Sequence, residues 1–392
     1  MPPPVTPPAP ARDWRLFQGL KGTNRPYQLW QSQEIVDRAW DAFLASTPLG
    51  QFQQSCSWAA IKVAEGWASA RFIATIDGGV VGGFQVLWRR KRGLKLGYLS
   101  KGPVAAEPHL ELLAPLLEDA KQVCSHLGLL AAILQLPDLS PSGDTLSTQA
   151  GLLPNHLSAI IEASVWIDLD KPFEQIEKGY SKSVRREIRL KEGTPVAVRR
   201  GTPDDAGLFF DLMKAACARN GQTPNPASAQ SIKDLLVAFA HSTERPDQDA
   251  GLLLLEEDHV TIAGILLIRF GSTLILWKKG WTGGGVHINP NKLLNHEAIR
   301  WGWERGCKRA DLASLSRPLT ERLLQPGSSA STPISGSDQY KLLFGGRPVL
   351  LPRAFVWIPR WPLRPLYRLH GRIKALRTRL AKKQRASQPT SV

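Results

Sequence analysis

One order of elements occurs twice in this 392-residue chain, about 180 residues apart. Arg71 to Ile76 reads as a strand, Asp77-Gly78-Gly79 as a turn and Val80 to Trp88 as a second strand. Leu252 to Glu256, Asp258-His259 and Val260 to Arg269 repeat that order, with Asp77 matching Asp258 and Gly83 matching Gly264. Each hairpin is followed by another strand (Lys95 to Leu99, then Thr273 to Lys279) and a glycine-containing loop. A helix (about Leu110 to Leu127, then Pro290 to Arg305) and a short strand (Ala131 to Leu134, then Ala310 to Leu312) complete each copy. Hairpin, helix and strand occur together in many α+β proteins, but a shared spacing over roughly sixty residues points to a duplicated lobe.

The length agrees with two lobes, since single cores rarely keep growing beyond about 250 to 300 residues. The four cysteines stand far apart, without Cys-x-x-Cys or Cys/His clusters, so neither a metal site nor a disulfide framework is suggested and the compartment reads as reducing. No stretch approaches the roughly 18 consecutive apolar residues of a membrane span, and Met1 to Pro10 has no signal-peptide pattern. A cytoplasmic protein is expected.

The net charge of +16 is concentrated at one end. From Arg353 onward there are 11 Lys or Arg and no Asp or Glu, which leaves 39 basic and 34 acidic residues elsewhere, a balance of +5. In that tail Leu366, Leu369, Ile373, Leu376 and Leu380 recur at helical steps among arginines and lysines. Such a helix suits an anionic membrane surface or nucleic acid; it can equally rest its leucines on the body.

A segment near the end of the second copy carries the most specific wording. Asn289 can cap a helix opening at Pro290, and Gly306 can stop it before a strand at Ala310-Asp311-Leu312. Leu293-Leu294, Trp301-Gly302, Gly306-Cys307 and Asp311, then Tyr340-Lys341 and Phe344-Gly345-Gly346, resemble the Fem-like branch of the GNAT (Gcn5-related N-acetyltransferase) superfamily, which includes peptidoglycan-bridge aminoacyltransferases. The resemblance implies an α+β fold of tandem GNAT-like lobes, each a mixed, mostly antiparallel sheet flanked by helices, plus a basic C-terminal helix. The expected organisation is a disordered Pro-rich start (1–26), a first lobe (27–160) completed by 347–360, a second lobe (161–346), a basic amphipathic helix (362–385) and a disordered tail (386–392). Residues 171–200 read as a helix ending at Gly193, then a strand at Val196 to Arg199.

The same resemblance implies site residues. Gln54-Ser55-Cys56-Ser57-Trp58 through Lys62 is similar to the family's Gln-x-x-x-Trp-x-x-x-Lys; Trp58 and Lys62 share a helix face, and Lys62 is implied at the phosphates of a cell-wall precursor. The bland reading is a solvated lysine beside a buried tryptophan. Tyr98 to Pro103 resembles Tyr-x-Pro-Arg-Gly-Pro, with Lys101 for Arg, and Arg219 corresponds to an arginine directed at the precursor; these complete the implied acceptor set. Tyr340 and Lys341 are implied at the donor, where an aromatic face can stack a base and a lysine neutralise phosphate; packing of Phe344 and a solvated Lys341 is the plainer alternative. Gly283 and Gly284, in a triple glycine, allow close approach to a donor or form a plain turn. No general base stands out; Asp311 is favoured by position over His296 and Glu297.

The function implied is N-acyl transfer, moving an aminoacyl or acyl group onto an amine of a cell-envelope precursor, lipid-linked or nucleotide-linked. Aminoacyl-tRNA or acyl-coenzyme A serves as donor substrate, with no tightly bound cofactor and no metal. Expected partners are tRNA, the precursor, and the inner membrane face through the basic helix. Two alternatives stay open: an acyl-CoA-dependent N-acetyltransferase on a small or polysaccharide-linked amine, and a non-enzymatic basic binding protein.

Overall fold

The computed structural model describes residues 13–21, 25–284, 289–326, 334, 336–359 and 362–386. In chain order the strands are β1 (Trp14–Leu16), β2 (Gln28–Ser32), β3 (Ala68–Ile76), β4 (Gly79–Lys91), β5 (Leu94–Ser100), β6 (Val104–Ala105), β7 (Ala131–Gln135) and β8 (Leu153–Pro154). They continue as β9 (Ala163–Asp168), β10 (Val196–Arg200), β11 (Gln248–Glu257), β12 (Val260–Phe270), β13 (Thr273–Trp281), β14 (Arg309–Asp311), β15 (Arg347–Leu350) and β16 (Phe355–Trp357).

They form two sheets of matching connectivity. The first runs β1-β2-β3-β4-β5-β7-β16-β8, with β6 against β4; the second runs β10-β11-β12-β13-β14-β9-β15. In each, one parallel contact, β5 with β7 or β13 with β14, interrupts antiparallel pairing. The duplication extends to local irregularities. Both hairpins turn through two left-handed residues, Asp77 and Gly78 (φ 49° and 78°) and Asp258 and His259 (φ 49° and 66°), as right-twisted strands joined by two residues require. Each hairpin also carries a bulge near its turn, with the extra residue in the second strand: Val81 opposite Ala74 and Thr75, and Ile262 opposite Leu255 and Glu256.

The two copies exchange a strand. After β8 the chain crosses to insert β9 between β14 and β15, and after β15 it returns to insert β16 between β7 and β8. Segment 347–360, expected as one addition to the first lobe, is therefore divided, because Arg347–Leu350 pairs with β9 in the second sheet and only Phe355–Trp357 reaches the first. Two further expectations are corrected. The start is not wholly disordered: β1 pairs with β2, and the Trp14 indole N–H donates to buried Asp37 at 2.8 Å. The helix read over 171–200 is two, Phe173–Lys178 and Lys182–Leu190, broken where the Ser181 hydroxyl caps the second by accepting from the Val184 N–H.

Helix Pro290–Glu304 starts where the Asn289 side chain accepts from the Asn291 and Lys292 N–H groups; Gly306 (φ 69°) follows its end. It buries Leu293, Leu294, Ala298, Ile299 and Trp301 in the second core. The first core extends across the junction, because Phe209 and Leu212 of helix Ala206–Arg219 and Ile232 and Leu235 of helix Ala229–Ala238 join it. Trp58 and Trp277 meet edge to face there at 5.9 Å.

Helix Leu363–Ala386 docks on the first lobe through one side: Tyr367 stacks on His156 and its hydroxyl donates to the Pro154 carbonyl at 2.8 Å. Leu366, Leu369 and Ile373 stay exposed at 62%, 53% and 42%. Among the described residues no helix is long and apolar enough to cross a membrane.

Candidate active site between the lobes

A cavity of about 560 Å³ opens where β5 and β7 face β13 and β14. Trp58, Lys62, Tyr98, Lys101 and Asp311, which are dispersed along the sequence, all line it. Trp58 and Lys62 lie on helix Cys56–Ala64, whose start is capped by the Ser55 hydroxyl. The Lys62 ammonium rests 4.6 Å from the centre of the Trp58 ring and 2.7 Å from Glu65. Tyr98 comes from β5, and burial raises its pKa. Lys101, in a left-handed conformation (φ 56°), forms a buried ion pair with Asp138, which also accepts from Gln51 Nε2 at 2.6 Å.

The loop carrying Lys101 is positioned by Gln54. Continuing the β4–β5 register beyond Leu87 opposite Tyr98 would place Gln85 opposite Ser100, but that ladder bond is missing. The fully buried side chain of Gln54 fills the gap: its Oε1 accepts from the Gln85 N–H at 2.7 Å and its Nε2 donates to the Ser100 carbonyl at 2.6 Å. One amide thus holds two strands apart while satisfying both.

Asp311 ends β14 on the opposite wall. It accepts from the Ser164 hydroxyl, from Trp166 Nε1 at 3.2 Å and from the Ala313 N–H at 2.8 Å. Burial pushes its pKa above the ordinary carboxylate range and Asp138 adds to this, while the Ser164, Ala313 and Trp166 donors partly offset it. A carboxylate so oriented and raised can take a proton from an amine. Beside it the sheet opens. β13 pairs with β14 only over Thr273–Ile275, after which the chain beyond β14 bonds to β9, the Leu312 N–H donating to Val165 and the Leu315 N–H to Ala163.

The donor candidates lie off the cavity. Lys278 lines it, and the alternation of a strand turns Lys279 to the other face. There Lys279 lies 5.1 Å from the Tyr340 ring centre, and Lys341 donates to the Ser314 carbonyl and hydroxyl. Burial, with the Lys341 charge adding, pushes Lys279 down to about 7. Tyr340 packs edge-on to Phe344 at 5.6 Å and its hydroxyl is buried without a partner, so its ring is engaged by protein on two sides. Gly345 (φ 72°) turns the chain where a Cβ would stand 2.4 Å from the Gly179 carbonyl oxygen.

Arg219 does not join the acceptor candidates. Its Nη2 donates to the Trp281 carbonyl at 2.7 Å and its guanidinium lies 5.2 Å from that ring, beside Gly283 (φ 97°) and Gly284. The rest of the triple glycine, Gly285, lies outside the described residues. Sequence reasoning missed Asp138, Lys278 and Arg309 as lining residues; only the pairing of β7, β13 and β14 brings them to the cavity, and no local pattern signals them.

The Acetyltransferase (GNAT) domain family matches residues 178–341. Lipid II:glycine glycyltransferase of Staphylococcus aureus (strain bovine RF122 / ET3-1) is 25% identical over 244 residues, 58% of this chain and 55% of that protein. Over these stretches the chain is similar to Fem-like GNAT proteins. The same figures hold for the enzyme of that name from Staphylococcus aureus (strain MRSA252), so the chain spans about half the length of the curated relatives it matches. A solved structure of FemX superposes with a TM-score of 0.68 at 18% identity, over 86% of this chain and 99% of FemX, and shares its fold.

Proposed function

We propose that this Fem-like protein is an N-acyltransferase that moves an aminoacyl or acyl group onto an amine of a cell-envelope precursor, a peptidoglycan peptide or related glycan. The observation that carries the reading is the cavity between the lobes, which gathers Trp58, Lys62, Tyr98, Lys101 and Asp311 beside the opening of β13 from β14. The acceptor lies in the cavity, its anionic part toward Lys62 and its amine toward Asp311. Asp311 takes the amine proton, the nitrogen attacks the donor carbonyl, and the donor's hydroxyl or thiol leaves. The donor enters from the Tyr340, Lys341, Gly283 and Gly284 side, where Lys341 offers positive charge to its phosphates. The exposed stripe Leu366, Leu369 and Ile373, in a tail without acidic residues, rests on the cytoplasmic membrane face; each Lys or Arg near anionic lipid contributes about 1 kcal/mol.

Charged tRNA and lipid-linked or soluble muropeptide incubated with the protein test this: mass spectrometry is expected to find the acceptor heavier by an aminoacyl residue. An unchanged acceptor mass with every charged tRNA counts against the aminoacyl donor. A specific feature favours a second reading: the divergence of β13 from β14 offers a strand-lined slot to an acyl-coenzyme A arm, and that donor would release free thiol.

A further inference from the structure

Arg309 is a cavity cation that the acyl-transfer step leaves unused. It stands two residues before Asp311 on β14, so both side chains leave the same face of the sheet, and both line the cavity. Its guanidinium lies over the Trp166 ring, 4.1 Å from the centre, and its Nη2 donates to Thr273 Oγ1 at 2.9 Å. The same tryptophan donates to Asp311, so one ring sets both groups. Nearby carboxylates are engaged elsewhere: Asp138 by Lys101 and Gln51, Asp311 by Ser164 and Ala313. Asp168, opposite Arg309 in register, accepts from the Asp170 N–H. Among the described residues none forms an ion pair with Arg309, and its Nε is buried without a partner. A half-buried guanidinium with a buried, unpartnered Nε is a place that an anion can complete.

We propose that Arg309 anchors a carboxylate of the acceptor, so that the substrate class is amines bearing a carboxylate about 7 Å from the nitrogen, the span of two strand residues. The planar fork of arginine matches a carboxylate in two parallel hydrogen bonds. Burial holds the Arg309 pKa below the ordinary arginine value, and Asp311 and Asp138 only partly offset this; the negative potential of those two carboxylates makes a monoanion suit the site better than a doubly charged phosphate. The proposal rests on the acceptor reading of the cavity, and its test uses no donor.

Ligand-observed NMR titration of the full chain with Nα-acetyl-L-lysine and with Nα-acetyl-L-lysinamide compares one amine with and without its carboxylate. The wild type is expected to bind the acid about tenfold more tightly than the amide. Arg309→Gln should abolish the preference while leaving amide binding in place, and Arg309→Lys, which keeps charge but not the fork, should retain part of it. Equal binding of the two probes by the wild type, no binding of the acid below about 10 mM, or a preference surviving in Arg309→Gln would overturn the proposal. Circular dichroism checks folding of each variant; if Arg309→Gln does not fold, Arg309→Lys is decisive, and an undiminished preference in it overturns the proposal. Loss of acyl transfer with the preference intact would count against the proposed function and not against the anchor.

Discussion

Replacing Gln54 by alanine tests how the cavity wall is built. The side chain is fully buried and stands in for the missing bond between Gln85 and Ser100, so truncation strands one N–H and one carbonyl in the first core. Each buried polar group left unsatisfied costs about 1 to 3 kcal/mol, which gives about 2 to 6 kcal/mol for the pair. The loop packs closely on this amide, since a Cβ at Gly102 would stand 2.9 Å from it, so truncation also leaves a void there. Urea unfolding followed by tryptophan fluorescence measures the loss. Gln54→Glu should not rescue it, because a carboxylate oxygen would face the Ser100 carbonyl. A change below about 0.5 kcal/mol, the range of an indifferent surface substitution, would mean that the amide does not bridge the two strands.

Asp311→Asn should lower transfer by about 10² to 10⁴-fold with the fold retained, measured as single-turnover product formation. Lys279 should titrate near 7 by NMR of reductively 13C-methylated lysines, and the signal should vanish in Lys279→Met; a spectrum with every lysine above 9 contradicts it. Because the folded state lowers this lysine's pKa, the unfolded chain keeps a proton that the folded one releases between about 7 and the ordinary lysine value. This group therefore opposes folding fully at pH 6 and progressively less as pH rises above 7, so the stability gained by Lys279→Met should shrink toward pH 10. Ending the chain after Leu350 should unfold the first lobe, since Val356 and Trp357 are buried in it, whereas ending after Pro359 should leave both sheets intact; far-ultraviolet circular dichroism separates the two. Removing 362–392 should abolish binding to anionic vesicles in a flotation assay.

The duplication was legible because period-two strands, turn residues and a capped helix are local signals, and Asp77 and Asp258 mark the same turn in both copies. The strand exchange was not, because β8, β9, β15 and β16 are short and their pairing is decided by distant partners. Among the residues that line the cavity, Trp58 and Lys62 stood out through helical spacing and a motif resemblance. Gln54 lay in that motif, but its work depends on where two other strands fail to meet. Arg219 misled because a position in sequence does not say which side of β13 a side chain reaches. Arg309 and Asp138 carried no local pattern at all; they matter because the sheet brings them to one wall.

In the proposed function the acceptor lies between the lobes with its amine at the end of β14. Photo-crosslinking a soluble muropeptide that carries a diazirine at its amine, followed by peptide mapping, tests it most directly. Adducts are expected on the peptides containing Asp311, Tyr98 to Lys101 and Trp58 to Lys62. Adducts confined to the Tyr340–Lys341 side or to the C-terminal helix would contradict it.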